Sequence, residues 1–188
     1  MQQSINKERI ILGIDPGTTV MGYGIIREVG KQLSLINLGI IKLDHLDDHG
    51  LKLQRIFEKT SALIEQYQPD CMALEAPFYG KNIQVMLKLG RAQGVAMAAA
   101  LNRNIPIFEY APRKIKQSVT GNGNATKEQV AAMLKMLLKF SETPQFLDAT
   151  DGLAAAVCHA FQNNVTAGSK GNYSGWKAFV KDNAGRLK

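Results

Sequence analysis

Arg9-Ile10-Ile11-Leu12-Gly13-Ile14-Asp15-Pro16-Gly17-Thr18-Thr19-Val20-Met21-Gly22-Tyr23-Gly24-Ile25-Ile26 decides how the rest of the chain is read. The run Ile10 to Ile14 has the length and β-branched content of a buried strand. It ends in one carboxylate, Asp15. Pro16-Gly17 turns the chain, and Val20 to Ile26 returns as the second strand of a hairpin. A charge directly after an apolar strand sits at the rim of a core. Burying it alone is costly, so it needs a cation or hydrogen-bond donors. The plainer reading of Asp15 is a turn residue capping Thr18 or Thr19.

Downstream, Gln32 to Leu43 alternates loosely and closes an antiparallel meander. In Asp44-His-Leu-Asp-Asp-His-Gly50, His45 and His49 share a helix face, but a solvated loop with an N-cap is preferred to a metal site. An amphipathic helix over Leu51–Tyr67 buries Leu53, Ile56, Leu63, Ile64 and Tyr67. Cys71-Met-Ala-Leu-Glu75 repeats the first pattern, a short apolar strand ending in an acid. Two strands of one sheet that finish this way can set their acids side by side. Phe78 and Tyr79 follow in a turn, as core lids or as base-stacking groups.

Asn82 to Leu101 reads as a long, mostly apolar helix in which Gly90, Gly94 and Ala98 recur every fourth residue. Such a flat strip lets a second helix approach closely, and a second copy of the chain is the preferred partner. Ile105 to Tyr110 is a further strand, and Ala111-Pro112 opens a helix. Arg113, Lys114, Lys116 and Lys127 bracket the loop Thr120-Gly-Asn-Gly-Asn-Ala125, a composition that suits phosphate approach as well as a plain connector. Thr126-Lys-Glu-Gln129 fits a capping box before a helix burying Val130, Met133, Leu134, Leu137 and Leu138. After a polar turn at Ser141–Gln145, a helix from Asp148 to Phe161 carries Asp148 and Asp151 on one face of its first turn. Its dipole accounts for one N-terminal acid more readily than for two on an otherwise Ala-rich helix. His159 reads as structural.

The 188 residues, 45% of them hydrophobic, suit one globular domain with a sizeable core. The expected division is a polar extension over 1–8, a domain over 9–162 and a flexible basic tail over 163–188 that contains Trp176. Net charge is +7, and residues 102–188 carry 12 Lys and Arg against 6 Asp and Glu, so an anionic partner such as nucleic acid is expected. Cys71 and Cys158 form no metal or redox motif and suit a reducing compartment. No stretch reads as a signal peptide or membrane span, which predicts a cytoplasmic protein.

Asp15, Glu75, Asp148 and Asp151 thus form a set of four carboxylates without evident partners. If they converge, divalent cations must neutralise them, and hard oxygen ligands favour magnesium or manganese over zinc. Two such ions would need one bridging acid, for which Asp15 is the choice, and would serve phosphodiester hydrolysis.

Gly13-Ile-Asp-Pro-Gly17, Ala73-Leu-Glu75 and Asp148-Ala-Thr-Asp151 closely resemble the RuvC family of Holliday-junction resolvases. So do Lys88-Leu-Gly-Arg-Ala-Gln-Gly-Val-Ala96 and Phe108-Glu-Tyr-Ala111, and the likeness runs over about residues 9–162. It implies an RNase H-like α/β fold, a five-stranded mixed sheet of a three-stranded antiparallel meander plus two parallel strands, flanked by helices. It implies a Mg²⁺-dependent homodimer that nicks opposed strands of a four-way junction, with the RuvA–RuvB branch-migration complex as partner. Two Mg²⁺ per site are expected, with Mn²⁺ as a substitute. By the same likeness Asp15, Glu75, Asp148 and Asp151 are the metal-binding acids, Phe78 stacks at the crossover, and Lys116 and Lys127 meet DNA phosphate or stabilise charge. Arg113 joins them as an expected DNA contact. The rivals are a related nuclease with another substrate and an actin/Hsp70-like ATPase using Asp15-Pro-Gly-Thr-Thr19 as a phosphate loop. The ATPase needs a second phosphate loop, and no second Asp-x-Gly-Thr copy occurs in the chain.

Overall fold

A computed structural model describes residues 8–77, 82–140 and 147–168. Phe78 and Tyr79, the Ser141–Gln145 turn and the tail around Trp176 lie outside the described residues.

The opening stretch forms the hairpin expected of it. β1 (Glu8–Asp15) pairs antiparallel with β2 (Val20–Val29), which pairs antiparallel with β3 (Gln32–Lys42). β4 (Cys71–Glu75) lies parallel to β1 on its other side, and β5 (Ile107–Tyr110) lies parallel to β4. The sheet order is β3-β2-β1-β4-β5, so β1 is central. Register between β1 and β4 is pinned by Asp70, whose carboxylate accepts from the Ile10 amide at 2.7 Å. The loose alternation of β3 has a cause. The register shifts between Ile25 and Ile26, so Ile36 is an extra residue that bulges outward. Leu33, Leu35 and Leu38 therefore all face one core despite the broken period.

Residues alternate between two cores. Leu12 and Ile14 of β1 face α1 (His49–Tyr67) and α2 (Ile83–Leu101). Ile11 faces α3 (Pro112–Thr120), α4 (Lys127–Leu138) and α5 (Asp148–Gly168). Asp48 caps α1, accepting from the Leu51 amide at 2.9 Å, which makes Asp44–Asp48 a loop and cap and opens the helix at His49, two residues before the expected Leu51. The capping box at Thr126 and Gln129 is present. One expected core position is corrected: Leu137 is exposed, and Ala131 is buried with Val130, Leu134 and Leu138. The narrower stripe follows because α4 meets the core along one line. His159 is buried, with its Nδ1 2.7 Å from the Tyr110 hydroxyl and its ring against Phe108. α5 continues to Gly168, past residue 162 where the composition changes.

α2 buries Ala92, Ala96, Ala99 and Ala100 but turns its Gly90/Gly94 strip away from the described fold. Ile83, Leu87 and Leu101 share that face and are more than half exposed. Among the described residues no helix is long and apolar enough to cross a membrane.

α5 lies directly on the sheet because the contact positions lack side chains. A Cβ on Gly13 would stand 2.1 Å from the Gly152 carbonyl oxygen, and one on Gly24 would stand 2.4 Å from the Leu153 Cα. Neither backbone neighbour can yield by rotating. Gly24→Ala is expected to destabilise the fold by about 1–3 kcal/mol, read as a lower denaturant midpoint. An unchanged midpoint would mean that α5 has room to lift.

Candidate active site

The site is assembled by β1, β4 and the first turn of α5. Ile14 and Leu74 are neighbours in the parallel β1/β4 register, so Asp15 and Glu75 come next at the same edge of the sheet. Both follow the odd-numbered face of β1 and its partner face of β4, which is the α5 side. Asp15 pairs across β2 with Gly22. A Cβ at Gly22 would lie 1.8 Å from the Asp148 carbonyl oxygen. The missing side chain thus lets the start of α5 settle above Asp15.

Carboxylate oxygens of Asp15, Asp148 and Asp151 consequently lie within 4.8 Å of one another, the spacing of a metal-ligand group. Glu75 shares with Asp15 a cavity of about 170 Å³, closed on one side by Leu89 of α2. The sequence-predicted acids are therefore brought together from three separated segments of the chain. His45 and His49 join no such group among the described residues.

Charge crowding is visible in the proton affinities. Burial, reinforced by Glu75 and Asp151, pushes Asp15 up to about 8. Burial and the Asp151 charge push Glu75 up to about 7, against the pull of Lys127 and Lys116. Asp151 is raised too, mainly by burial and despite its bond from Lys127. Lys127 stands at the first turn of α4 and donates to Asp151 at 2.5 Å and to Asp148 at 3.3 Å. Burial lowers its proton affinity, but these acids more than reverse that and raise it. The side chain of Asp151 is 14% exposed and that of Asp148 is 41%, so Asp151 sits deep and Asp148 at the mouth.

Lys116, on α3, is close enough to act on both Glu75 and Asp151. Arg113 is exposed at the start of α3, its stem against Gly123 of the Gly-Asn loop. The Phe78 position lies outside the described residues. What sequence reading did not find is the set of side-chain-free contacts at Gly13, Gly22, Gly24 and Gly152. The signal was there: Gly22-x-Gly24 on one strand face, and an Ala-rich helix with Gly152 near its start.

A central strand and its parallel neighbour, both ending in acids beneath an acid-bearing helix on an antiparallel meander, define an RNase H-like metal-dependent nuclease class. Comparison with known proteins narrows this. Residues 11–159 match the family model for RuvC, crossover junction endodeoxyribonuclease. A crossover junction endodeoxyribonuclease RuvC of Cytophaga hutchinsonii is 61% identical over 181 residues, covering 96% of this chain and 89% of the relative. The protein of that name from Bacteroides fragilis is 59% identical over 184 residues, covering 97% of each. The structure of T. thermophilus RuvC in complex with a Holliday junction substrate aligns with a TM-score of 0.79 at 29% identity, over 84% of this chain and 96% of that one. The yeast mitochondrial Holliday junction resolvase shares the fold at 13% identity, with a TM-score of 0.60 over 84% of this chain and 82% of that one. The chain belongs to the RuvC family of crossover junction endodeoxyribonucleases. The ATPase alternative is set aside by that membership.

The raised acids make stability depend on pH. Unfolded, Asp15 and Glu75 lose their protons near their ordinary values of 3.8 and 4.5; folded, they keep them to about 8 and about 7. The folded state binds more protons in between, so its stability declines as pH rises through that window. Thermal unfolding of the metal-free protein is expected at a lower temperature at pH 8 than at pH 5, with Asp15→Asn flattening the slope. A midpoint that climbs over the same range would contradict this electrostatic account.

Proposed function

We propose that the chain is a structure-selective endonuclease that resolves Holliday junctions by paired, metal-dependent phosphodiester hydrolysis in DNA recombination and repair. Asp15, Glu75, Asp148 and Asp151 are its metal-holding residues. The observation that carries this is the meeting of three carboxylates within 4.8 Å, with a fourth beside them, where burial and mutual repulsion raise Asp15, Glu75 and Asp151. The Holliday junction held by the related T. thermophilus RuvC supports the choice of substrate.

The donor set fits hard divalent cations, being all carboxylate oxygen with no sulfur or imidazole. Two Mg²⁺, with Mn²⁺ as a substitute, would supply an activated water and neutralise the leaving oxygen of an in-line displacement. Asp15, grouped with Asp148 and Asp151 and sharing a cavity with Glu75, would be the ligand common to both ions. Glu75 and Asp151 hold the deep side and Asp148 the mouth. Lys127 neutralises the α5 acids through its two hydrogen bonds. Its side chain is half exposed, so turning outward lets it meet a substrate phosphate. Lys116 adds positive charge on the Glu75 side, and Arg113 meets the backbone further out, at the Gly-Asn loop. Phe78 stacks at the crossover. All but Phe78 hold, neutralise or orient charged groups, which is where most catalytic stabilisation of a phosphodiester comes from.

Paired nicks need two sites, so the functional unit in this reading is a homodimer formed through α2. Ile83, Leu87, Gly90, Gly94, Ala98 and Leu101 fall at helical spacing on one face. Both glycines leave open space above them. The enzyme works in the cytoplasm with the RuvA–RuvB complex. Residues 9–162 carry the nuclease unit, flanked by 1–8 and 163–188.

Labelled four-way, forked and linear DNA, with and without Mg²⁺, separate the candidate substrates. Symmetric paired nicks are expected on the four-way junction, and Asp15→Asn is expected to lower that rate by about a thousandfold or more while the junction still binds. Wild-type cutting by the variant would remove Asp15 from the metal site. Equal cutting of all three DNAs would point to a nuclease of broader choice.

Gly94→Leu is expected to move the protein from dimer to monomer in analytical ultracentrifugation, with its thermal midpoint kept. A variant that still sediments as a dimer would take α2 out of the interface.

A further inference from the structure

The basic residues on α1 have no part in the site described above. A cleft of about 480 Å³ opens between α1 and the free edge of β3. Its lining includes the cations Lys42, Arg55 and Lys59 and the imidazole of His45, with no acid among the described residues that line it. Arg55 and Lys59 stand one turn apart on α1, so their side chains project together. Neither makes an ion pair among the described residues. Among the acids of this segment, Asp44 lies beside His45, Asp48 caps α1, and Glu58 accepts from Gln54 and lines an adjoining cavity with Arg55.

The cleft is built rather than incidental. Gly39 carries no side chain, and a Cβ there would lie 2.7 Å from the Tyr23 hydroxyl oxygen. The Tyr23 ring therefore reaches across the edge strand and forms part of the floor. Asn37 donates to the Tyr67 hydroxyl at 2.6 Å, tying β3 to α1 and fixing the separation of the walls.

Register places the cleft relative to the acids. Asp15 pairs with Gly22, and Gly22 with Ile40, which lines the cleft. The row crosses two strand spacings, roughly 10 Å. Lys42 ends β3 at the same end of the sheet as Asp15. The cleft itself lies on the α1 side, so a strand leaving the acids passes the end of β3 to enter it. From Arg55 to Gln66 its α1 wall runs about 16 Å along the helix. That length exceeds what a single phosphate fills, and Lys42, Arg55 and Lys59 gather at the Lys42 end of the cleft, where a polyanion coming past the end of β3 meets them first.

We propose that this cleft is a second DNA-backbone site, which takes phosphodiesters of a junction arm beyond the nicking acids and fixes the direction in which that arm leaves. The inference rests on the junction-nuclease reading, and wild-type nicking of a four-way junction tests that reading separately.

The test is fluorescence-anisotropy binding of long-armed and short-armed four-way junctions by the full chain and by Arg55→Ala/Lys59→Ala. Each is read across a salt series in Ca²⁺, with cleavage measured in Mg²⁺. The double variant is expected to bind the long-armed junction about tenfold more weakly. Its slope of log affinity against log salt should fall by about 2, as for two lost phosphate contacts. Short-armed binding and the nicking rate at saturating DNA should not change, and Arg55→Lys/Lys59→Arg should restore long-arm binding. Equal affinity of variant and wild type for long arms overturns the proposal. So does an equal loss on both junctions, which places the contact at the crossover. Saturable binding of a free nucleoside phosphate, lost in the variant without any effect on DNA, assigns the cleft to a small ligand and overturns it as well.

Discussion

Three carboxylates within 4.8 Å of one another are the constraint around which this molecule is arranged. Isolated carboxylates avoid such proximity, so something else must hold them there. The force comes from apolar burial further along the same elements. Leu153 to Ala160 of α5 are buried between the sheet on one side and α3 and α4 on the other, with almost no solvent contact. The helix cannot tilt its acidic first turn away without lifting that whole surface. Gly22 and Gly13 set how near the helix comes, and hence how hard the acids are pressed together. The repulsion then appears where it can be relieved, as protons retained on Asp15 and Glu75 and as two hydrogen bonds from Lys127.

Much of this was legible in the chain. An apolar run ending in Asp15 and a second ending in Glu75 read as strand ends that can lie side by side, and the repetition of the pattern weighed against reading Asp15 as a mere turn cap. Asp148 and Asp151 were legible as one helix face. What joined the helix to the strands was not legible from these residues, since nothing local says which face of a sheet a helix covers. The glycines that settle the matter read as turn or flexibility signals in a linear scan, and only the register of β1 with β2 shows them to be contact surface. Likewise the weak alternation of β3 hid a bulge at Ile36. Leu137 was misplaced because helical spacing gives the width of an apolar stripe, and the partner gives how much of it is used.

The two faces of the sheet divide the work. The α5 side carries the acids and is packed with small residues, which brings backbones close and fixes geometry. The α1/α2 side carries larger apolar groups such as Leu12, Ile14, Met72 and Leu74. It leaves surface open in two places, the glycine strip of α2 and the cleft beside β3. A sheet whose central strand is buried from Ile11 to Ile14 can deliver a functional group only at a strand end, and both acids lie there. That geometry also sets the site next to the rim of either face.

Lys127 shows why such a site can persist in a folded chain. A group of acids that required a divalent ion merely to fold would tie folding to metal supply. Here a half-exposed ammonium on α4 meets the two acids of α5, while Asp15 keeps its proton up to about pH 8 and Glu75 up to about pH 7. The arrangement is neutralised from within the chain, by groups that can leave. The ammonium can rotate outward on its long stem, and the protons can pass to solvent through the mouth at Asp148. Neither change disturbs the cores on either face. Strain is therefore confined to ionisation states rather than backbone, and a cation of higher charge can replace ammonium and protons together.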